Sequence, residues 1–190
     1  MLVKETFFKN EKYISYFFFI LLTNTNANNR DKIIENLENT KNLNFEFEQN
    51  INGKIENGNC TIEYPKKIFC EYSKNNNKIL VSNGKSLVIK TITSYYRYPL
   101  KKTALNLILD KNFLINKIYD LEEKIIDESY INYTIIENDN EINIFFDNQT
   151  FSLVGWQTKD IYQNLNVTYL FSIKTNQKIT KNLFKLPSQN

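Results

Sequence analysis

The sequence predicts a mainly β domain with short helices, an α+β chain built on one antiparallel sheet of about ten to eleven strands that must curl strongly. Three observations carry that expectation. Segments such as "LNFEFEQNI" alternate apolar and polar residues with a period of two, which puts one face on a core and the other in water. Turn signals, among them Gly53, Pro65 and Asn83-Gly84, divide the chain into runs of strand length. Aromatic residues make up 14% of the chain and glycines number only 4, a mixture rich in Ile, Phe and Tyr that favours pleated, half-buried surfaces. With 190 residues the chain is long enough for one well-filled core and too short for two.

In chain order, the first segment stands apart from the fold. Lys4, Lys9 and Lys12 precede the apolar run "YISYFFFILL", and the polar "TNTNA" follows it. The run is too short for a bilayer core of about 30 Å, and the layout is that of a secretory signal. Thr25 and Ala27 supply the small residues of a cleavage site, so residues 1–27 are expected to be a signal peptide that is removed, leaving 28–190 as a single domain. Cleavage takes away three lysines and two glutamates and lowers the formal charge from +3 to +2. That small charge, with lysines scattered among acids, speaks against a nucleic-acid binder. The mature chain is expected outside the cytoplasm.

The mature chain opens with a short helix that places Ile33, Ile34 and Leu37 on one face, with Asn29 or Asp31 as its cap. A strand follows, in which Leu43, Phe45, Phe47, Gln49 and Ile51 point to one side. "GNCTIEY" and "KIFCEYS" form a hairpin, "ILVSNGKSLVIKTI" a second one around Asn83-Gly84, and Pro99 closes the strand "YYRYP". The period then changes. Leu105, Ile108 and Leu109, followed by Phe113, Leu114 and Ile118, predict one or two short helices with Thr103 placed as a cap. Strands resume with "EKIIDES", "YINYTIIEN", "EINIFFDN", "TFSLVGWQTK" and "NVTYLFSIK", and the chain ends in "NLFKLP". The helices are too few to cover both faces of such a sheet.

Both cysteines fall in the first hairpin. If its loop is Tyr64-Pro65-Lys66, Glu63 faces Lys67, Ile62 faces Ile68, Thr61 faces Phe69 and Cys60 faces Cys70. Opposed residues in antiparallel strands lie within reach of a disulfide, and an exported chain meets oxidising conditions. A disulfide is therefore favoured over two buried thiols, and closing so short a loop contributes about 2–3 kcal/mol. Two cysteines and no histidine cannot supply the four ligands of a structural zinc site, so no metal is expected.

Enzymatic readings lack residues to carry them. Without histidine there is no Ser-His or Cys-His pair, and no glycine-rich phosphate loop appears. Asp127, Glu128, Asp139 and Glu141 read as turn and surface residues, so neither a catalytic group nor a cofactor is expected. The sequons at Asn59, Asn132, Asn148 and Asn166 are what an Asn-rich chain produces by chance.

The succession "FEFEQ", a Gly-containing turn, "IEYPKKIFCEY", "ILVSNGKSLVI", "PLKKTALNLIL" and "LVGWQTKD" leading to "KNLFKLP" resembles the LolA family of periplasmic lipoprotein carriers. "LVSNGKSL" is the most specific of these motifs. The resemblance implies an unclosed antiparallel β-barrel with a helical lid over an acyl-chain pocket. It implies acylated lipoproteins as cargo, an inner-membrane lipoprotein-releasing ABC transporter as donor and an outer-membrane lipoprotein receptor as acceptor. A monomeric periplasmic protein is expected. The lipid-binding wall would be Leu43, Phe45, Phe47, Ile62, Ile68 and Cys70, faced by Leu105, Ile108 and Leu109 of the lid, although each of these is also an ordinary core residue. Where the family has Arg-Pro in the turn after the second strand this chain has Tyr64-Pro65, making Tyr64 the expected lid latch, through one hydroxyl and without charge. Where the family has Thr-Pro ahead of the lid helix this chain has Thr103-Ala104. A half-open barrel forfeits core packing, and the disulfide is expected to offset part of that loss. The rival reading is a lipid-sensing or protein-binding envelope module on the same half-barrel.

Overall fold

The computed structural model describes residues 28–73, 77–137, 140–159 and 164–189; the expected signal peptide and Asp139 lie outside them. The chain starts with helix α1 (Asn29–Asn39), which buries Ile33, Ile34 and Leu37 as their spacing predicts. Its cap is Asn28, one residue before the nearer expected candidate, Asn29; the Asn28 side-chain oxygen accepts from the Asp31 N–H at 2.9 Å. An unpaired first-turn donor is thereby satisfied.

Six strands follow as a meander: β1 (Asn42–Ile51), β2 (Lys54–Glu63), β3 (Lys67–Tyr72), β4 (Ile79–Asn83), β5 (Ser86–Lys90) and β6 (Tyr95–Pro99). Five more come after the helices: β7 (Lys124–Ile126), β8 (Tyr130–Glu137), β9 (Asn140–Asp147), β10 (Leu153–Lys159) and β11 (Leu165–Thr175). All eleven make one antiparallel sheet in the order β6-β5-β4-β3-β2-β1-β11-β10-β9-β8-β7, and β6 does not pair with β7. The barrel is unclosed, as expected, and its centre is the pairing of the first strand with the last. Register shifts interrupt β1–β11 between Asn44 and Glu46 and β9–β10 between Leu153 and Gly155. Such bulges add twist and help curl the sheet.

The cysteine hairpin has the predicted register, with Glu63 opposite Lys67, Ile62 opposite Ile68, Thr61 opposite Phe69 and Cys60 opposite Cys70. The next turn is shifted by one residue from the Asn83-Gly84 expectation. Ser82 pairs with Leu87, so Gly84 and Lys85 are its central pair, and Gly84 takes φ +93°. A glycine in the first central position suits the twist of a hairpin. The strand expected over "EKIIDES" is reduced to the three exposed residues of β7, and Asp127 and Glu128 turn with positive φ. A short edge strand of this kind offers little backbone for pairing with another chain.

Between β6 and β7 the chain crosses the concave face. A 3-10 turn (Leu100–Lys102) leads into helix α2 (Leu105–Ile108) and then helix α3 (Lys111–Asp120). Thr103 does not cap α2: its hydroxyl donates back to the Leu100 carbonyl at 2.8 Å and closes the 3-10 turn instead. Ala104 starts α2 with no side-chain cap. The side-chain cap belongs to α3, where Asp110 Oδ1 accepts from the Phe113 N–H at 3.2 Å. After β11 the tail stays on the sheet, with Tyr95 and Lys90 donating to the carbonyls of Pro187 and Ser188. No helix among the described residues is long and apolar enough to cross a membrane.

Candidate acyl-binding site

The concave face has two unlike halves. Under α1 and α3, strands β8 and β9 present Ile131, Tyr133, Ile135, Ile142, Ile144 and Phe146, all essentially inaccessible to water. Tyr133 and Phe146 meet edge to face with centroids 6.1 Å apart, a favourable aromatic geometry. Bonds from Arg30 to the Leu121 carbonyl and from Asn36 to the Thr150 carbonyl fix α1 over this half, and Lys117 of α3 pairs with Glu137 of β8 at 2.8 Å. Burial, together with the neighbouring Glu123, pushes the Tyr133 phenol up to about 12.

Under α2 the face is hollow. A cavity of about 230 Å³ is walled by Phe47 of β1, Cys60 of β2, Ile68 and Cys70 of β3, Leu80 of β4, Leu87 and Ile89 of β5 and Trp156 of β10, and is roofed by Ala104, Leu105 and Ile108. Cys60 and Cys70 form a disulfide, so the staple is part of the wall. Gly58 lies beside the cavity for a steric reason: a Cβ there would meet the Glu71 carbonyl oxygen at 2.0 Å and the Phe47 ring at 2.8 Å. The Phe47 ring instead turns edge to face with Tyr72, centroids 5.0 Å apart.

Of the residues expected in the wall and lid, Phe47, Ile68, Cys70, Leu105 and Ile108 line the cavity. Leu43, Phe45, Ile62 and Leu109 are buried in the contiguous core beside it and do not line it. Sequence reading missed Leu80, Leu87, Ile89 and Trp156, which sit at alternate positions of strands recognised only as strands. It also missed the polar end of the cavity, lined by Gln49, Tyr72, Lys78, Thr158, Asn166 and Thr168.

That end is a connected network. Glu56 of β2 is buried and paired with Lys54 at 3.0 Å and with Lys78, whose ammonium lies 4.0 Å from the centre of the Tyr72 ring. The Tyr72 hydroxyl donates to Gln49 Oε1 at 3.3 Å, and Gln49 Nε2 donates to Asn166 Oδ1 at 3.0 Å and to Thr168 Oγ1 at 3.3 Å. Burial raises the Glu56 carboxyl, but bonds from Lys78 and Lys54 outweigh it and hold the group below the usual carboxylate range. Burial and the charge of Glu56 push the Tyr72 phenol well up. The inward placement of Glu56 was readable from strand parity, since it alternates with Gly58, Cys60 and Ile62.

The lid is tied to the sheet at the turn between β2 and β3. Lys66 donates its backbone N–H to the Leu109 carbonyl at 2.8 Å, and its ammonium meets Asp110 Oδ2 at 3.1 Å. Asp110 therefore caps α3 with one oxygen and holds the turn with the other. Tyr64, the expected latch, packs against the core, and its hydroxyl is buried with no hydrogen-bond partner. Burial alone pushes that phenol well up. Among the described residues no group of three or more His, Cys, Asp or Glu is placed to hold a metal.

The family described as outer membrane lipoprotein carrier protein LolA matches residues 38–187. No curated protein matches the sequence. Among solved structures, an uncharacterized conserved protein from Thermus thermophilus aligns over 85% of this chain and 93% of its own, with TM-score 0.51 and 9% identity. A LolA superfamily protein from Nitrosomonas europaea aligns over 83% and 97% with TM-score 0.42 and 9% identity. MucB, in its Pseudomonas aeruginosa complex with MucA, aligns over 85% and 62% with TM-score 0.45 and 11% identity. Members of the matched family are carriers and not enzymes, and the match spans nearly all of the described fold: this chain belongs to the LolA family of outer membrane lipoprotein carrier proteins.

Proposed function

We propose that residues 1–27 export the chain and are removed, and that the mature domain works in the periplasm as a lipoprotein carrier. In this reading it accepts the acyl chains of lipoproteins released by an inner-membrane ABC transporter and delivers them to an outer-membrane receptor. The observation that carries the reading is the apolar hollow roofed by a four-residue helix. Each methylene taken out of water is worth about 0.8 kcal/mol, so a lipoprotein cannot cross an aqueous gap without a host for its tails.

The magnitudes fit a lid that opens for cargo. A cavity of about 230 Å³ is smaller than the roughly 300–1,000 Å³ of preformed ligand sites, so several acyl chains enter only if α2 moves. Its tie to the β2–β3 turn is one main-chain hydrogen bond and one part-exposed ion pair, together about 1–2 kcal/mol. Opening also uncovers the buried Ile108 and Leu109, at about 1.5–3 kcal/mol each, so burial of roughly five to ten methylenes, less than one long acyl chain supplies, offsets the whole. Opening driven by cargo and closing after release follow from the same balance.

Gentle purification of the mature protein from its host, followed by mass spectrometry of what travels with it, tests the proposal. Acylated lipoproteins are the expected finding. Recovery of single phospholipids only, or of no lipid, would favour the sensing or protein-binding module instead.

A further inference from the structure

The polar end of the cavity has chemistry that plain acyl packing does not need. Along β1 the inward residues pass from Phe45 and Phe47 to Gln49 and Ile51, and their neighbours on β2 pass from Cys60 through Gly58 to Glu56. The floor is buried, with Ile68 and Cys70 only 2% and 3% exposed, whereas Gln49, Lys78 and Asn166 at the other end are half-buried. Solvent thus reaches the cavity along its roof at Ala104 and Leu105 and also at its polar end. A tail entering there passes this collar first and leaves its head beside it.

The collar's remaining capacity is for donation. Glu56 is engaged by two lysines, which leaves one net positive charge among the three groups. Lys78 lines the cavity and has ammonium protons beyond the one given to Glu56. Thr168 accepts from Gln49, which leaves its own O–H to donate, and the hydroxyl of Thr158 belongs to the same lining. Gln49 Oε1 is already occupied by the Tyr72 hydroxyl. A set of donors with positive charge at the mouth of an apolar slot recognises oxygen atoms and repels a cation.

We propose that Lys78, with the hydroxyls of Thr158 and Thr168, forms a subsite for the carboxyl-derived oxygens at the head of an acyl chain whose tail lies beneath α2. The inference rests on the acyl reading of the hollow and adds polarity to it: the ligand has a defined direction, tail inward and head at the collar. Two sources share this chemistry, a free fatty acid and an acyl ester of glycerol.

Trp156, the only tryptophan of the chain, lines the cavity and reports its occupancy. The mature protein is titrated with dodecanoate, methyl dodecanoate, glyceryl monododecanoate and dodecylammonium below their micellar concentrations, following Trp156 fluorescence. The expected result is that the three oxygen-headed ligands bind about tenfold or more tighter than dodecylammonium. Lys78→Met should abolish the preference, and Lys78→Arg should keep it. Because Lys78→Met takes a lysine partner from the buried Glu56, the pair Glu56→Gln/Lys78→Met is measured beside it and should lose the preference equally. Carboxylate well ahead of both esters assigns the site to free fatty acids; esters equal or ahead assign it to acylglycerols. Equal binding of all four heads overturns the collar and leaves the hollow intact, whereas failure of every ligand to bind overturns the acyl reading itself.

Discussion

The two halves of the concave face are made from the same residue types and end in opposite states. Around β8 and β9, isoleucines and two aromatic rings interlock beneath α1 and α3 until nothing is accessible. Around β3 to β5, residues of similar size leave a cavity, because the roof there is a helix of four residues that reaches only Leu105 and Ile108 inward. Side-chain chemistry does not decide which half is filled; the length of the covering helices does. The emptier half is also the one closed by a disulfide and by a polar tie at Lys66. Stability lost to missing contacts is replaced there by links that need no close packing.

The sharpest way to break this contrast is to truncate one side chain in each half. Phe146→Ala in the packed half should cost about 3–5 kcal/mol in urea unfolding, while Leu105→Ala over the cavity should cost about 1 kcal/mol or less, since fewer neighbours lose contacts. Equal losses would mean that the halves do not differ in packing. The staple comes next. Reducing the disulfide, or replacing both Cys60 and Cys70 by Ala, should lower stability by about 2–3 kcal/mol. An unchanged melting temperature would remove its assigned role.

A smaller effect should come from acid. The folded Glu56 carboxyl lies below its ordinary value of 4.5. Its contribution is therefore present above that value and lost as pH falls through the lower, folded one. Unfolding followed against pH should show an acid limb that Glu56→Gln removes, and this loss stays modest because Lys54 is largely exposed and can turn to water. Smaller again is Tyr64→Phe, which deletes a buried hydroxyl without a partner. It should leave stability unchanged or raise it by up to about 1 kcal/mol, and a clear loss would show that the hydroxyl finds a partner in solution. The least stability change belongs to Asp110→Asn, which keeps a capping oxygen but loses the ion pair with Lys66. The cost should be under about 1 kcal/mol, with faster amide exchange at Lys66, whose N–H bonds the Leu109 carbonyl.

Most of the sheet was legible because period-two alternation survives wherever one face is wet, as in Leu43, Phe45 and Phe47 against Glu46 and Glu48. The hairpin register was legible for a stronger reason, since its four opposed pairs had to match at once. Helix starts were less so. Thr103 has the right residue type for a cap, but a 3-10 turn claims its hydroxyl, and nothing local distinguishes the two uses. The cavity wall was half legible: inward positions can be counted along a strand, but whether they meet partners depends on a roof more distant in the chain. Lys78 gave no signal at all, because a lysine after an Asn-rich loop looks like any solvated charge until Glu56 is seen beneath it.

One topological detail bears on how such a molecule comes into being. The central ladder joins the opening strand to the final one, Leu43 to Thr175 and Ile51 to Asn166. Contacts so distant along the polypeptide form slowly, since a long loop must close before they bring any reward. Until the last residues are available the two flanking meanders have no seam, and the hollow under α2 lacks Trp156 and Thr168 on its far wall. Under the export proposed above, this order of events keeps the polypeptide open in transit and forms its oily interior only on arrival.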